Sequence, residues 1–185
     1  MGNNEAKWSG WRSREIEIRK GMDSAPALLE VSGGLGTKFE MTPLRRMGGT
    51  YAPGQGFTVW GFSRRRVIVA PEYNHLNIFR AAVGNENSTG LGGWRVRRIT
   101  HDEIDPLDGS TSGRGPWIVF VGDGARRAIR VTWNDGERPG VLTMYGVSSG
   151  AGTQVNRPDR TEETVRIKGP GYLMFDADRW SVQVT

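Results

Sequence analysis

Between Thr164 and Val184 apolar and polar residues alternate one by one, and turn formers cut the run into pieces. Val165 and Ile167 alternate with Thr164, Arg166 and Lys168. Gly169-Pro170-Gly171 interrupts, Tyr172, Leu173, Met174 and Phe175 follow, and Asp176-Ala177-Asp178 interrupts again. Trp180, Val182 and Val184 then alternate with Ser181 and Gln183. Side chains with a period of two point to opposite faces of a strand, so such a stripe is buried by a sheet and not by a helix. The end of the chain is therefore core, and the pattern predicts that it closes as a β-hairpin.

The same reading extends along the chain. Strands are predicted at Arg14–Lys20, Ala27–Val31, Gly56–Phe62, Arg65–Ala70, Leu76–Val83, Trp94–Thr100, Trp117–Val121, Arg127–Trp133, Val141–Val147, Val165–Lys168, Tyr172–Phe175 and Trp180–Val184. No stretch carries a convincing helical period. Many short strands between Gly, Pro and Asp breaks define an all-β fold, an antiparallel β-sandwich. The Gly-rich stretch Gly84–Gly93 divides it into an N-terminal β unit at 1–88 and a C-terminal unit at 89–185, which stand as one domain or as two packed β subdomains. Trp117–Val121 is apolar on both faces and reads as a central strand. Arg127–Trp133 and Val141–Val147, with Asn134-Asp135-Gly136 and Pro139-Gly140 between them, read as a hairpin. Ser32-Gly33-Gly34-Leu35-Gly36 and Ser88-Thr89-Gly90-Leu91-Gly92 share four of five residues, which reads either as a trace of duplication or as a similarity that Gly-rich loops often reach by chance.

Composition narrows the chemistry. A chain of 185 residues can bury a core, and seven Trp, six Phe and four Tyr anchor one that is only 36% apolar. The absence of Cys excludes disulfides, thiolate catalysis and Cys-ligated zinc. No window is long and apolar enough to cross a bilayer, and Met1–Glu5 has no signal-peptide core, so a cytoplasmic or particle-associated location is expected, with no membrane partner.

Motif by motif, the sequence argues against an enzyme. Gly146-Val147-Ser148-Ser149-Gly150 matches the nucleophile elbow, but a loop-like stretch follows it and both histidines, His75 and His101, precede it. Gly33–Lys38 lacks the spacing of a phosphate loop or of a dinucleotide fingerprint. The acidic run Asp102–Asp108 offers oxygen ligands, yet its spacing is not that of an EF-hand, and Asp, Pro and Gly are ordinary turn formers. No catalytic residue, cofactor or metal site is assigned.

The charge pattern points to binding. Of the 25 basic residues 21 are Arg, and the net charge is +5. Arg64, Arg65 and Arg66, Arg95 and Arg97 beside Trp94, and Arg126 and Arg127 are the candidate interaction residues. Arginine with aromatics suits protein interfaces, and also polyanions or stacked sugars. The plainer reading is Arg stems covering the wet face of a sheet.

Two segments carry a resemblance. Trp11–Asp23 with Leu28-Leu29-Glu30-Val31 resembles the opening strands of bacteriophage tail proteins of the hub and distal-tail type. Gly169–Leu173 with Trp180–Val184 resembles the terminal hairpin of small β-sandwich modules of bacterial and phage proteins. The resemblance implies a virion structural component. The functional expectation is a non-enzymatic capsid-decorating, cementing or tail protein, present in many copies and partnered by other structural subunits. The alternative is a carbohydrate- or polyanion-binding module.

Overall fold

A computed structural model describes residues 6–19, 25–34, 36–48, 50–61, 64–81, 92–122, 124, 126–133, 140–147, 152–157 and 159–185. The fold is all-β and antiparallel, and the chain forms two compact units, residues 1–23 with 27–99 and residues 24–26 with 100–185. The sequence reading divides the chain at 88/89; the first unit's ladder runs on through Trp94–Arg98, so its last strand lies beyond that point.

The first unit contains β1 (Lys7–Gly10), β2 (Arg14–Glu17), β3 (Ala27–Gly33), β4 (Lys38–Met47), β5 (Thr50–Pro53), β6 (Phe57–Trp60), β7 (Arg64–Val69), β8 (His75–Ala81) and β9 (Trp94–Arg98). One sheet has the order β1-β9-β3-β7; the other is β2-β8-β4-β5, with β6 also on β4. Ala27, Leu29, Val31, Val67, Val69, Trp94 and Val96 of the first sheet share one buried cluster with Ile16, Phe39, Met41, Val59, Leu76 and Ile78 of the second. This shared cluster is the interior of a sandwich.

The second unit contains β10 (Ser110–Arg114), β11 (Trp117–Val121), β12 (Arg126–Trp133), β13 (Val141–Gly146), β14 (Gly152–Gln154), β15 (Glu162–Lys168), β16 (Gly171–Asp176) and β17 (Arg179–Val184). Its sheets are β10-β17-β12-β15 and β11-β16-β13-β14. Ile129, Val131, Trp133, Val165, Ile167, Trp180 and Val182 meet Val119, Val121, Leu142, Leu173 and Phe175 in its core.

With β6 set aside, the two sheet orders are the same. The chain repeats one sandwich plan twice, and a shared contact supports the match. Gly10 of β1 lies opposite Trp94 of β9, and Gly113 of β10 lies opposite Trp180 of β17. Each indole lies over the facing glycine: a Cβ on Gly10 would sit 2.7 Å from Trp94 Cζ2, and one on Gly113 2.5 Å from Trp180 Cζ2. Each indole Nε1 donates to the carbonyl two residues past its glycine, Trp94 to Arg12 at 2.9 Å and Trp180 to Gly115 at 3.1 Å. Of the similar Gly-rich segments at 32–36 and 88–92, residues 35 and 88–91 lie outside the described residues.

All twelve predicted segments contain strands, but some pairings differ from the reading. β16 and β17 lie in different sheets, so the chain does not end in a hairpin, although Trp180 and Val182 are buried as the stripe requires. β12 and β13 likewise belong to opposite sheets. Val141–Gly146 pairs with β16 and β14 instead. β11 is an edge strand, not a central one. Its free edge is covered locally: Phe120 N donates to Asp105 O at 2.9 Å, Leu107 N donates to Phe120 O at 2.7 Å, and the Phe120 ring meets His101 edge-on at 4.3 Å.

Candidate functional site

Strand alternation separates the candidate arginines. Within β7, Arg64 and Arg66 face away from the core while Arg65 shares the side of Val67 and Val69. Register then collects the outward residues. Ser32 of β3 lies between Arg64 of β7 and Arg95 of β9, and Arg95 faces Ser9 of β1. The next row is Lys7, Arg97, Glu30 and Arg66. Residues thirty positions apart in sequence therefore share one sheet face.

The two rows differ in how their charges are paired. Glu30 pairs with both arginines of its own row: Oε1 lies 3.4 Å from Arg97 Nη2 and Oε2 3.8 Å from Arg66 Nε. These three side chains are half-buried or more, so the network is partly shielded from water. Arg64 and Arg95 are exposed and have no acidic partner among the described residues. Adjacent strands lie about 4.8 Å apart, so the Cα atoms of Arg64 and Arg95 bracket Ser32 at about 10 Å.

This row borders a concavity of about 710 Å³, lined by Ser9, Trp11, Ser32, Arg64 and Arg95 and by glycines 10, 33, 34, 92 and 93. Trp11, at its rim, is 65% exposed. Two bonds fix the backbone that carries it: Arg80 Nη1 donates to the Trp11 carbonyl at 2.9 Å, and Trp94 Nε1 to the Arg12 carbonyl. The second unit has a smaller concavity, about 460 Å³, that includes the matching row, Ser112, Ser181, Thr132 and Glu162, and extends the other way along the strands, over Ser110, Gln183 and Arg130. Matched through the Gly–Trp pair, Ser112 stands for Ser9, Ser181 for Arg95, Thr132 for Ser32 and Glu162 for Arg64.

The other candidates lie elsewhere. Trp94 is 1% exposed and belongs to the core. Arg126 and Arg127 are in the second unit; Arg126 is exposed, and Arg127 Nη1 donates to the Leu107 carbonyl at 3.2 Å. Trp11, Ser9, Ser32 and Glu30 were not singled out by the sequence; only strand register brings them beside the arginines.

A second exposed feature lies on the outer face of the other sheet of the first unit. Tyr51, Trp60 and Phe79 are all about half exposed. Lys38 faces Trp60 and Glu40 faces Phe79, and Lys38 Nζ lies 3.4 Å from Glu40 Oε1 between them. With Trp11 these are all of the exposed large aromatics among the described residues, and all are in the first unit.

Among the described residues the remaining motifs assemble no reactive site. Ser148–Gly150 of the elbow-like motif lie outside the described residues. Thr37, within Gly33–Lys38, is buried, and its Oγ1 bonds Gly92 O and N, each at 3.2 Å. Residues His101–Glu103 form a 3-10 turn whose Glu103 Oε1 accepts from Thr100 N at 3.0 Å. Among the described residues no group of three or more His, Asp or Glu is placed to hold a metal ion, and no helix is long and apolar enough to cross a membrane.

The fold and surface define a tandem β-sandwich with an Arg- and aromatic-bearing first unit. Comparison with protein families finds no match, and neither does comparison with curated protein sequences. Among solved structures the chain is similar to PBSX exported protein XepA, at 6% identity and TM-score 0.34 over 98% of this chain and 85% of that one. It is also similar to the stem and receptor binding domain of the spike protein P1 from bacteriophage PM2, at 8% identity and TM-score 0.23 over 100% of this chain and 79% of that one. Likenesses this low carry no argument about function, and the reading below rests on the chain's own residues.

Proposed function

We propose that the protein is a non-enzymatic component of a multi-copy particle, a capsid-decorating, cementing or tail protein of bacteriophage type, and that its first unit grips the neighbouring subunits. The observation that carries this reading is the outer face of the β2-β8-β4-β5 sheet, where Tyr51, Trp60 and Phe79 are exposed; among the described residues the second unit exposes no large aromatic. Exposed aromatics are among the side chains that dominate protein interfaces, because each buries a large area with few torsions to freeze. Two core clusters, one per unit, leave these groups with no part in the sandwich interiors. Co-expression with the neighbouring genes, followed by imaging of the product, tests the proposal: the chain is expected on a larger particle at regular positions.

A further inference from the structure

The concavity beside Ser32 carries an inference of its own, independent of the particle role. We infer that it binds an acidic saccharide, one sugar ring bearing a carboxylate or sulfate, with the oxyanion between Arg64 and Arg95 and the ring against Trp11. Four observations converge on this ligand. Arg64 and Arg95 flank Ser32 in adjacent strands, so their guanidinium forks can close on one group above it. The Ser32 and Ser9 side chains lie in the same outward row and add hydroxyl donors. Trp11 is exposed at the rim, and its backbone is held by Arg80 and Trp94, so a flat apolar face stands ready where a ring attached to the anion would sit. Arg64 and Arg95 have no acidic partner among the described residues, whereas Arg66 and Arg97 of the next row share Glu30.

A nucleic-acid strand tracked along its backbone needs several phosphates neutralised in succession. In the next row Arg66 and Arg97 are already paired with Glu30, so the two open arginines present a place for one anionic group. The second unit shows what the fold looks like without the site, since Ser181 and Glu162 replace Arg95 and Arg64.

The test is titration of the whole chain with a heparin-derived sulfated disaccharide, a uronic-acid disaccharide, the neutral disaccharide maltose, inorganic sulfate and a short single-stranded DNA, following the tryptophan indole N–H signals. At least one acidic disaccharide is expected to saturate and to move the Trp11 signal, with maltose inert. Arg64→Ala and Arg95→Ala are each expected to weaken that binding about tenfold or more, the loss of one charge-assisted bond. Arg64→Lys, which keeps the charge and loses the fork, should fall between. Trp11→Ala should weaken the disaccharide and leave inorganic sulfate unchanged. The inference is overturned if neither acidic disaccharide binds, if maltose binds as well as they do, or if the DNA binds more tightly than either and loses affinity in Arg64→Ala. None of these results bears on particle association, which is read separately by imaging.

Discussion

At the scale of single residues, two glycines hold the repeated sandwich together by what they lack. Trp180 is stacked on Phe175 with ring centroids 4.1 Å apart and 12° between planes, and its other face lies over Gly113. The indole has no free direction in which to move, so a methyl group at 113 forces the backbone or the ring out of place. Gly113→Ala is expected to cost about 1–3 kcal/mol, the range for overpacking a filled core. Gly122→Ala, at a position with open space around a new Cβ, should stay within about 0.5 kcal/mol of the parent. Denaturant unfolding of the two variants checks the difference. Asp176 is a second residue at which packing sets a property. Burial, and then the nearby Asp178, pushes its carboxyl above the ordinary value of 3.8. The native state therefore disfavours the charged form. Stability that is present in full below 3.8 is lost as the pH rises through the raised native value. Asp176→Asn, which stays neutral, is expected to melt higher than the parent at neutral pH, with the gap closing as the pH is lowered toward 3.8. Melting curves across that window decide it.

At the scale of strands, the last one, β17, pairs with both β10 and β12 and carries Trp180 and Val182 into the core. Deletion of Trp180–Thr185 removes a buried indole, about 3–5 kcal/mol by itself, and strips two neighbours of their ladder. The second unit's cooperative transition is expected to disappear in thermal unfolding; a truncated chain that melts like the parent would remove β17 from the core. Strand existence and strand facing were legible in the sequence. Ile129, Val131 and Trp133 alternate with polar residues and are buried as a set. Pairing was not legible, because a period of two says which face is wet and nothing about which neighbour the strand meets. β12 and β13 illustrate this: a turn-rich gap separates them as in a hairpin, yet each joins a different sheet. β1, β4, β5, β10 and β14 went unread for local reasons. β4 carries Pro43 at its centre beside charged residues, and β10 is Ser110-Thr111-Ser112-Gly113-Arg114, with little apolar signal. Likewise Arg64, Arg66, Arg95 and Arg97 could be picked out as a basic set, but the division into a row whose arginines pair with Glu30 and a row whose arginines have no acidic partner among the described residues depends on register.

At the scale of the whole molecule, the same sandwich appears twice with different surfaces. The interiors keep their plan: Leu29 and Val31 of β3 correspond to Ile129 and Val131 of β12, and the Gly–Trp contact recurs. The outer faces do not, since Arg64 and Arg95 become Glu162 and Ser181 and the exposed large aromatics are confined to one unit. A core is constrained by packing density, so its substitutions must conserve volume, whereas exposed positions are free to take up binding. On this view the first unit does the gripping.

The most direct measurement is particle association by co-sedimentation and electron microscopy, with the chain expressed beside its neighbouring genes in three forms. One is the parent, one carries Trp60→Ser and Phe79→Ser on the first unit, and one carries Arg126→Ser and Arg166→Ser on the second. All the altered side chains are exposed, so the melting curves should match the parent's. The parent and the second-unit variant are expected on the particle, and the first-unit variant is expected free in solution. A parent that never sediments with a particle, or a first-unit variant that stays bound while the second-unit variant is lost, would contradict the account.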